Sequence, residues 1–242
     1  MLTFSNILRK VILATLSGFM LAFTFIYEPI AWETQLAHSQ RFLRLAQPSI
    51  ASAYTLDNPQ RLEYDLLRLV DKTHSLGTYV PKDLITVRGF SGHLLRVETE
   101  QALQDLVAAA RINGVKVYIR SAYRSYSTQA VLFQDYSGSY GVASAETFSA
   151  RPGHSEHQLG TTIDFGTFTN ADFNGSFDQT SLGQWLITHA YEFGFVMSYA
   201  DGAEAITGYI YEPWHWRYVG KDAAQEVKNR GITLQEYLES RE

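Results

Sequence analysis

The sequence predicts an α+β fold, in which an antiparallel sheet carries a polar site, helices flank it and a hydrophobic helix precedes the domain. Three observations lead there. Strand-like segments occur at 115–119, 161–165, 195–199 and 209–220, with alternation, β-branched or aromatic content. Helical spacing lies between them, without the regular strand–helix rhythm of a parallel sheet. Two of the strand segments also carry clustered polar residues, in "RPGHSEHQLGTTIDFG" and "YIYEPWHWRYVG".

The elements follow in order. "VILATLSGFMLAFTFIY", Val11 to Tyr27, is a run of 17 uncharged residues behind Arg9 and Lys10. A membrane span needs about 17–25 such residues. The run reads as an uncleaved signal anchor in preference to a cleaved signal peptide, because no small-x-small site follows it. Arg9 and Lys10 set the N-terminus inside and direct the remainder outward. Residues 28–60 read as a stalk or linker, with Pro29, Pro48 and Pro59, and the catalytic candidate runs over 61–242. Within it, Leu62, Leu66, Leu67, Leu69 and Val70 fall mostly at helical intervals. A second helix spans Thr99 to Arg111, with Thr99 as N-cap and Gly114 as C′ residue. "VKVYI" is a strand, Ser127 to Asp135 a short helix, and "SGSYGVASAE" a Gly/Ser-rich loop. "TTIDF" is a strand, and "SLGQWLITHAYEFG" a helix ended by Gly194. "FVMSY" resumes strand, the aromatic segment at 209–220 is strand-like, and a last helix starts near Lys221.

Composition narrows the chemistry. The chain is 45% hydrophobic, so its 242 residues can bury a substantial core. Net charge is −5 with no long basic run, which argues against a nucleic-acid partner. Cysteine is absent, so disulfides, thiolate metal sites and cysteine nucleophiles are excluded together. A catalytic zinc without cysteine takes three ligands from His, Asp or Glu and keeps one position open. Of the seven histidines, His38, His74, His93 and His189 read as surface or core residues. His154, His157 and His215 each have an acid close by in sequence.

Two segments are ambiguous by themselves. Asp164 lies between Ile163 and Phe165, where a buried carboxylate needs a partner or a metal. It can equally face solvent from an amphipathic strand. Glu212 precedes His215 by three positions, and Pro213 excludes a helix there. The two side chains reach one metal only if the chain bends at Pro213; otherwise this is an aromatic core strand with a buried histidine.

Taken together, Ser155-x-His157-x-x-Gly160-x-x-x-Asp164 and Glu212-x-x-His215 resemble the signature of VanY-type D-alanyl-D-alanine carboxypeptidases. These are zinc peptidases with the fold shared by the Hedgehog signalling domain and the D-Ala-D-Ala dipeptidases. "SAYRS" at 121–125 resembles the family's substrate-arginine motif, and "RPGHSEHQ" and "EPWHWRYVG" resemble the VanY branch. The resemblance covers roughly residues 61–236, and departs from the family at Thr162, where alanine is common.

The resemblance implies Zn2+ held by His157, Asp164 and His215, with Glu212 as general base and Arg124 as transition-state arginine. It implies Ser155, Arg124 and Gln129 as substrate-binding residues, Gln129 in a supporting role. The implied reaction removes the C-terminal D-Ala from peptidoglycan stem peptides, outside the membrane to which the N-terminal segment attaches the chain. Rival readings are an L,D-carboxypeptidase or endopeptidase on the same stems, and a non-catalytic zinc module of the same fold. A serine hydrolase built on Ser155 and His157 is poorly supported, because no G-x-S-x-G elbow exists. His154 and Glu156 are assigned supporting or surface roles.

Overall fold

A computed structural model describes residues 66–168 and 176–242. The anchor at 11–27 and the stalk at 28–60 lie outside these, as does most of the helix expected from Leu62. Among the described residues no helix is long and apolar enough to cross a membrane.

A two-stranded antiparallel ribbon opens the described chain, β1 (Leu84–Thr86) with β2 (Leu94–Arg96). Helix α1 (Val97–Ile112) follows at once. It begins two residues before the expected Thr99, which is buried inside its first turn. Its end matches expectation: Gly114 N–H donates to Arg111 and Val115 N–H to Ala110, a Schellman closure around Gly114 at φ 73°.

The chain then enters β3 (Tyr118–Ser121), three residues later than "VKVYI" predicts. Helix α2 (Tyr126–Tyr140) is capped by the Ser125 hydroxyl, which accepts from Thr128 N–H. It runs past Asp135 through "SGSY", and α3 (Val142–Ala145) follows, so most of the expected Gly/Ser-rich loop is helical. Aromatic packing outweighs local propensity there. Phe148 meets the rings of Tyr136 and Tyr140 edge-on, at 5.2 and 5.7 Å.

A 3-10 turn at Glu156–Leu159 precedes β4 (Thr162–Gly166). Helix α4 (Ser181–His189) continues as a 3-10 turn to Phe193 and stops at left-handed Gly194, as expected. Strand β5 (Phe195–Met197), the short α5 (Glu204–Thr207), β6 (His215–Tyr218), α6 (Lys221–Arg230) and α7 (Leu234–Glu239) complete the chain. Only His215–Tyr218 of the aromatic segment forms strand, because Glu212 to His215 is a turn.

The second sheet has the antiparallel order β3-β4-β6-β5. Alternation assigns its two faces. Ile163, Phe165, Phe195, Trp216 and Tyr218 join the core with Leu103, Leu106 and Ala110 of α1 and Leu182, Trp185 and Leu186 of α4. Thr162, Asp164, His215 and Arg217 occupy the opposite face, where Thr162 pairs with Arg217 and Asp164 with His215. Helices α6 and α7 pack separately with Val196 and Val219.

One further expectation is corrected. The helix predicted over "LEYDLLRLVDKTH" does not continue beyond Leu66. The Asp71 carboxylate accepts from the backbone N–H of Thr73 and His74, which stabilises a local turn instead. The carbonyls of Leu66 and Arg68 accept from Arg217, so the segment's polar groups are satisfied without a helix.

Candidate metal centre

Three chain segments meet at one end of the site face. The first ligand candidate sits on the 3-10 turn. His157 Nδ1–H donates to the Ala122 carbonyl at 2.7 Å, which leaves Nε2 as the free nitrogen. The His157 carbonyl accepts from Arg124 N–H, so the turn and the "SAYRS" segment are tied in both directions. Gly160 ends the turn at φ 72°, and a Cβ there would lie 2.8 Å from Leu84 Cδ2. Neither the backbone angle nor the space suits another residue.

Asp164 lies at the end of β4's site face, directly across from His215 on β6. Its side chain is buried, so the solvent-facing alternative does not hold. Oδ2 lies 3.1 Å from His157 Nε2, and Oδ1 lies 3.1 Å from His215 Nδ1. Oδ1 is buried without a well-formed hydrogen bond, an arrangement that calls for a cation. Donor atoms of His157, Asp164 and His215 all fall within 4.8 Å of one another. Two imidazoles and a carboxylate suit zinc, and three protein ligands leave a fourth position for water.

The chain bends at Pro213. His215 N–H donates to the Glu212 carbonyl at 3.0 Å, closing a turn over Pro213 and Trp214. The turn carries Glu212 Oε2 to 3.7 Å from His215 Nδ1, although the two residues would face apart on a regular strand.

Arg124 completes the group. Nη2 donates to Ser121 Oγ at 3.1 Å and lies 3.5 Å from Asp164 Oδ2. Nη1 donates to Gln129 Oε1 at 2.8 Å. Gln129 in turn donates to the Ala150 carbonyl at 2.7 Å and is 0% exposed. It therefore braces Arg124 from behind. Ser155 is buried at the head of the turn beside His157. Thr162, the departure from the family pattern, is fully buried, and its hydroxyl has no hydrogen-bond partner among the described residues.

Burial and mutual charge divide the titrating groups. Burial pushes the Asp164 carboxyl up, but His157 and His215 outweigh it and hold it well below the carboxylate range. Burial lowers the His157 imidazole, only partly offset by Asp164. For His215 the downward pull of burial is overcome by the adjacent Asp164 carboxylate and the hydrogen bond with Glu156, leaving it at about 10 in the metal-free protein. Burial raises Glu212 to about 8, against the pull of His215. The metal-free site therefore stores opposed charge that a divalent cation would rearrange.

The structure also places residues that sequence reading passed over. Of the supporting and surface roles expected for Glu156, its burial between His215 and Arg217 excludes the surface one. Tyr199 lies against the His215 ring, centroids 4.7 Å apart. The signal for Arg217 was its position two residues after His215, on the same strand face. His154 lies outside the group, its Nδ1–H donating to the Asp71 carbonyl at 2.8 Å. His74 pairs with Asp71 and His189 with Glu192.

Comparison with known proteins places this geometry. Residues 92–221 match the family described as VanY: D-alanyl-D-alanine carboxypeptidase. The Bacillus subtilis (strain 168) protein YodJ is 37% identical over 194 residues, covering 76% of this chain and 70% of YodJ. Among solved structures, the LdcB LD-carboxypeptidase is similar at TM-score 0.66 and 38% identity, over 71% of this chain and 84% of LdcB. A mutant of the vancomycin-resistance D,D-pentapeptidase VanY from a VanB-type cassette, solved with Zn(II), is similar at TM-score 0.64 and 32% identity. That match covers 72% of this chain and 99% of the other. The matched span includes the arginine segment, the 3-10 turn, β4 and the Glu212–His215 turn, and on these grounds the chain belongs to the VanY family of D-alanyl-D-alanine carboxypeptidases.

Proposed function

We propose that this chain is a zinc-dependent D-alanyl-D-alanine carboxypeptidase that removes the C-terminal D-Ala from peptidoglycan stem peptides. The observation that carries the reading is the buried His157–Asp164–His215 set with Glu212 and Arg124 beside it. Zinc held by these three residues supplies a water acidified towards a pKa of about 7 and a Lewis acid for the scissile carbonyl.

The chain's own groups account for the remainder. Glu212 takes the proton of the attacking water and later delivers it to the leaving amine of D-alanine. Arg124, fixed by Gln129 and Ser121, presents its cation to the developing oxyanion. Ser155, at the head of the turn, is positioned as a substrate contact. Arg124→Met is expected to lower kcat by about 10²–10³-fold while zinc content stays at wild-type level, as read by steady-state kinetics and metal analysis.

A second reading has a specific basis: the LdcB LD-carboxypeptidase is 38% identical, against 32% for the D,D-pentapeptidase. Mass spectrometry of products separates the two. Residues 61–242 should convert a muramyl pentapeptide to tetrapeptide plus D-alanine, and lose that activity with a chelator. Cleavage of tetrapeptide instead of pentapeptide establishes the L,D reading. Release from neither, with zinc bound, leaves a non-catalytic module.

We assign residues 1–27 to a membrane anchor, 28–60 to a stalk and 61–242 to the peptidase domain. Support comes from the uncharged run behind Arg9 and Lys10, which directs the following chain outward. A single-pass attachment with the domain outside the cytoplasm sets the site beside its polymeric substrate; cleavage after the run would release it.

A further inference from the structure

We propose that Glu156, itself held by Arg217, is a positioning residue that fixes His215 in the tautomer whose Nδ1 lone pair faces the metal. This rests on the ligand set proposed above. His215 Nε2–H donates to Glu156 Oε2 at 2.9 Å. The second carboxylate oxygen, Oε1, accepts from Arg217 Nη1 at 2.9 Å. Arg217 Nη2 donates to the Leu66 and Arg68 carbonyls at 2.8 and 2.7 Å, so the guanidinium cannot swing away. All three side chains are buried.

The tautomer follows from donor counting. A metal-binding imidazole is neutral and keeps one N–H, and a carboxylate that already receives Arg217 can only accept from the ring. The proton is therefore on Nε2, and Nδ1 is left as the donor nitrogen beside Asp164 Oδ1. His157 is set the opposite way, because the Ala122 carbonyl takes its Nδ1–H. The two ligand histidines thus bind through different ring nitrogens, each chosen by the acceptor behind it.

A buried ion pair can also be mere packing, and one substitution separates these roles. In Glu156→Gln the side chain offers one acceptor and one donor. Arg217 only donates, so it takes the amide oxygen and turns the NH₂ towards His215 Nε2. That favours the proton on Nδ1, the tautomer that cannot bind a metal there. Zinc Kd, measured by chelator competition on protein shown folded by circular dichroism, is expected to weaken about 10–100-fold.

Adding Arg217→Met removes the donor that fixes the amide, so the introduced side chain can turn its oxygen to His215. The double variant should bind zinc more tightly than Glu156→Gln alone, and its cobalt-substituted spectrum should return towards wild type. A packing role predicts no such recovery. A zinc Kd for Glu156→Gln within about twofold of wild type overturns the proposal, as does a double variant no tighter than the single. Independently of any variant, ¹⁵N NMR of the zinc-loaded wild type should place the His215 proton on Nε2; a proton on Nδ1 overturns it. Wild-type protein that binds no zinc overturns the ligand set itself.

Discussion

Glu212→Gln should reduce kcat/KM by about 10²–10⁴-fold while zinc content at saturating zinc stays close to wild type. The carboxylate lies 3.7 Å from His215 Nδ1, close enough to serve a water at the open metal position but outside the ligand set. The amide keeps size and shape and cannot take a proton. Steady-state kinetics with metal analysis reads both halves. Turnover within tenfold of wild type means that another group is the base.

The same substitution carries a stability signature of opposite sign. In the metal-free protein Glu212 titrates at about 8, above its ordinary 4.5, because burial penalises the anion. Between those values the folded state binds more protons than the unfolded state, so folding stability contributed by this group falls as pH rises. Glutamine has no such loss. Metal-free Glu212→Gln should therefore melt above metal-free wild type, by a margin that is small near pH 4.5 and grows to about pH 8. Zinc should shrink that margin, because a nearby divalent cation favours the ionised carboxylate. A catalytic group held in an unfavourable state without its cofactor is the expected form of such a trade-off.

How far the sequence reaches depends on whether a feature is local. The left-handed closures at Gly114 and Gly194 were legible because each is set by a residue and its neighbours. The bend at Pro213 was legible only as one of two courses, the other being an aromatic core strand, and the observed turn decides between them. The helical course of "SGSY" was not legible, because it depends on ring contacts with Phe148, brought in by the following chain. Nor was the loss of helix after Leu66, whose cause includes Arg217, about 150 positions away. The face carried by Asp164 was undecidable from alternation alone; the antiparallel register with β6 decides it. The pairing of Glu156 with Arg217 was not legible for the same reason, since it spans two segments that only the sheet brings together.

His157→Ala is expected to abolish detectable turnover and, with it, the stabilisation that zinc gives. At a zinc concentration of about 100 times Kd, binding to the folded state alone adds about 2.7 kcal/mol. For a domain of this size that is a rise in Tm on the order of 5–10 °C. The variant retains Asp164 and His215 but not three ligands, so the zinc-loaded and chelator-treated melts should coincide. The comparison must include the metal-free proteins, because His157 also holds the Ala122 carbonyl and offsets the buried Asp164 charge. Loss from those contacts lowers both melts equally; loss of the metal removes only the difference between them. A zinc-dependent shift that survives in His157→Ala would require another nitrogen in its place. The nearest histidine in sequence, His154, already spends its Nδ1–H on the Asp71 carbonyl and lies outside the group of ligand atoms. Survival of the shift would therefore mean that the metal sits elsewhere, and the ligand assignment would fall with it.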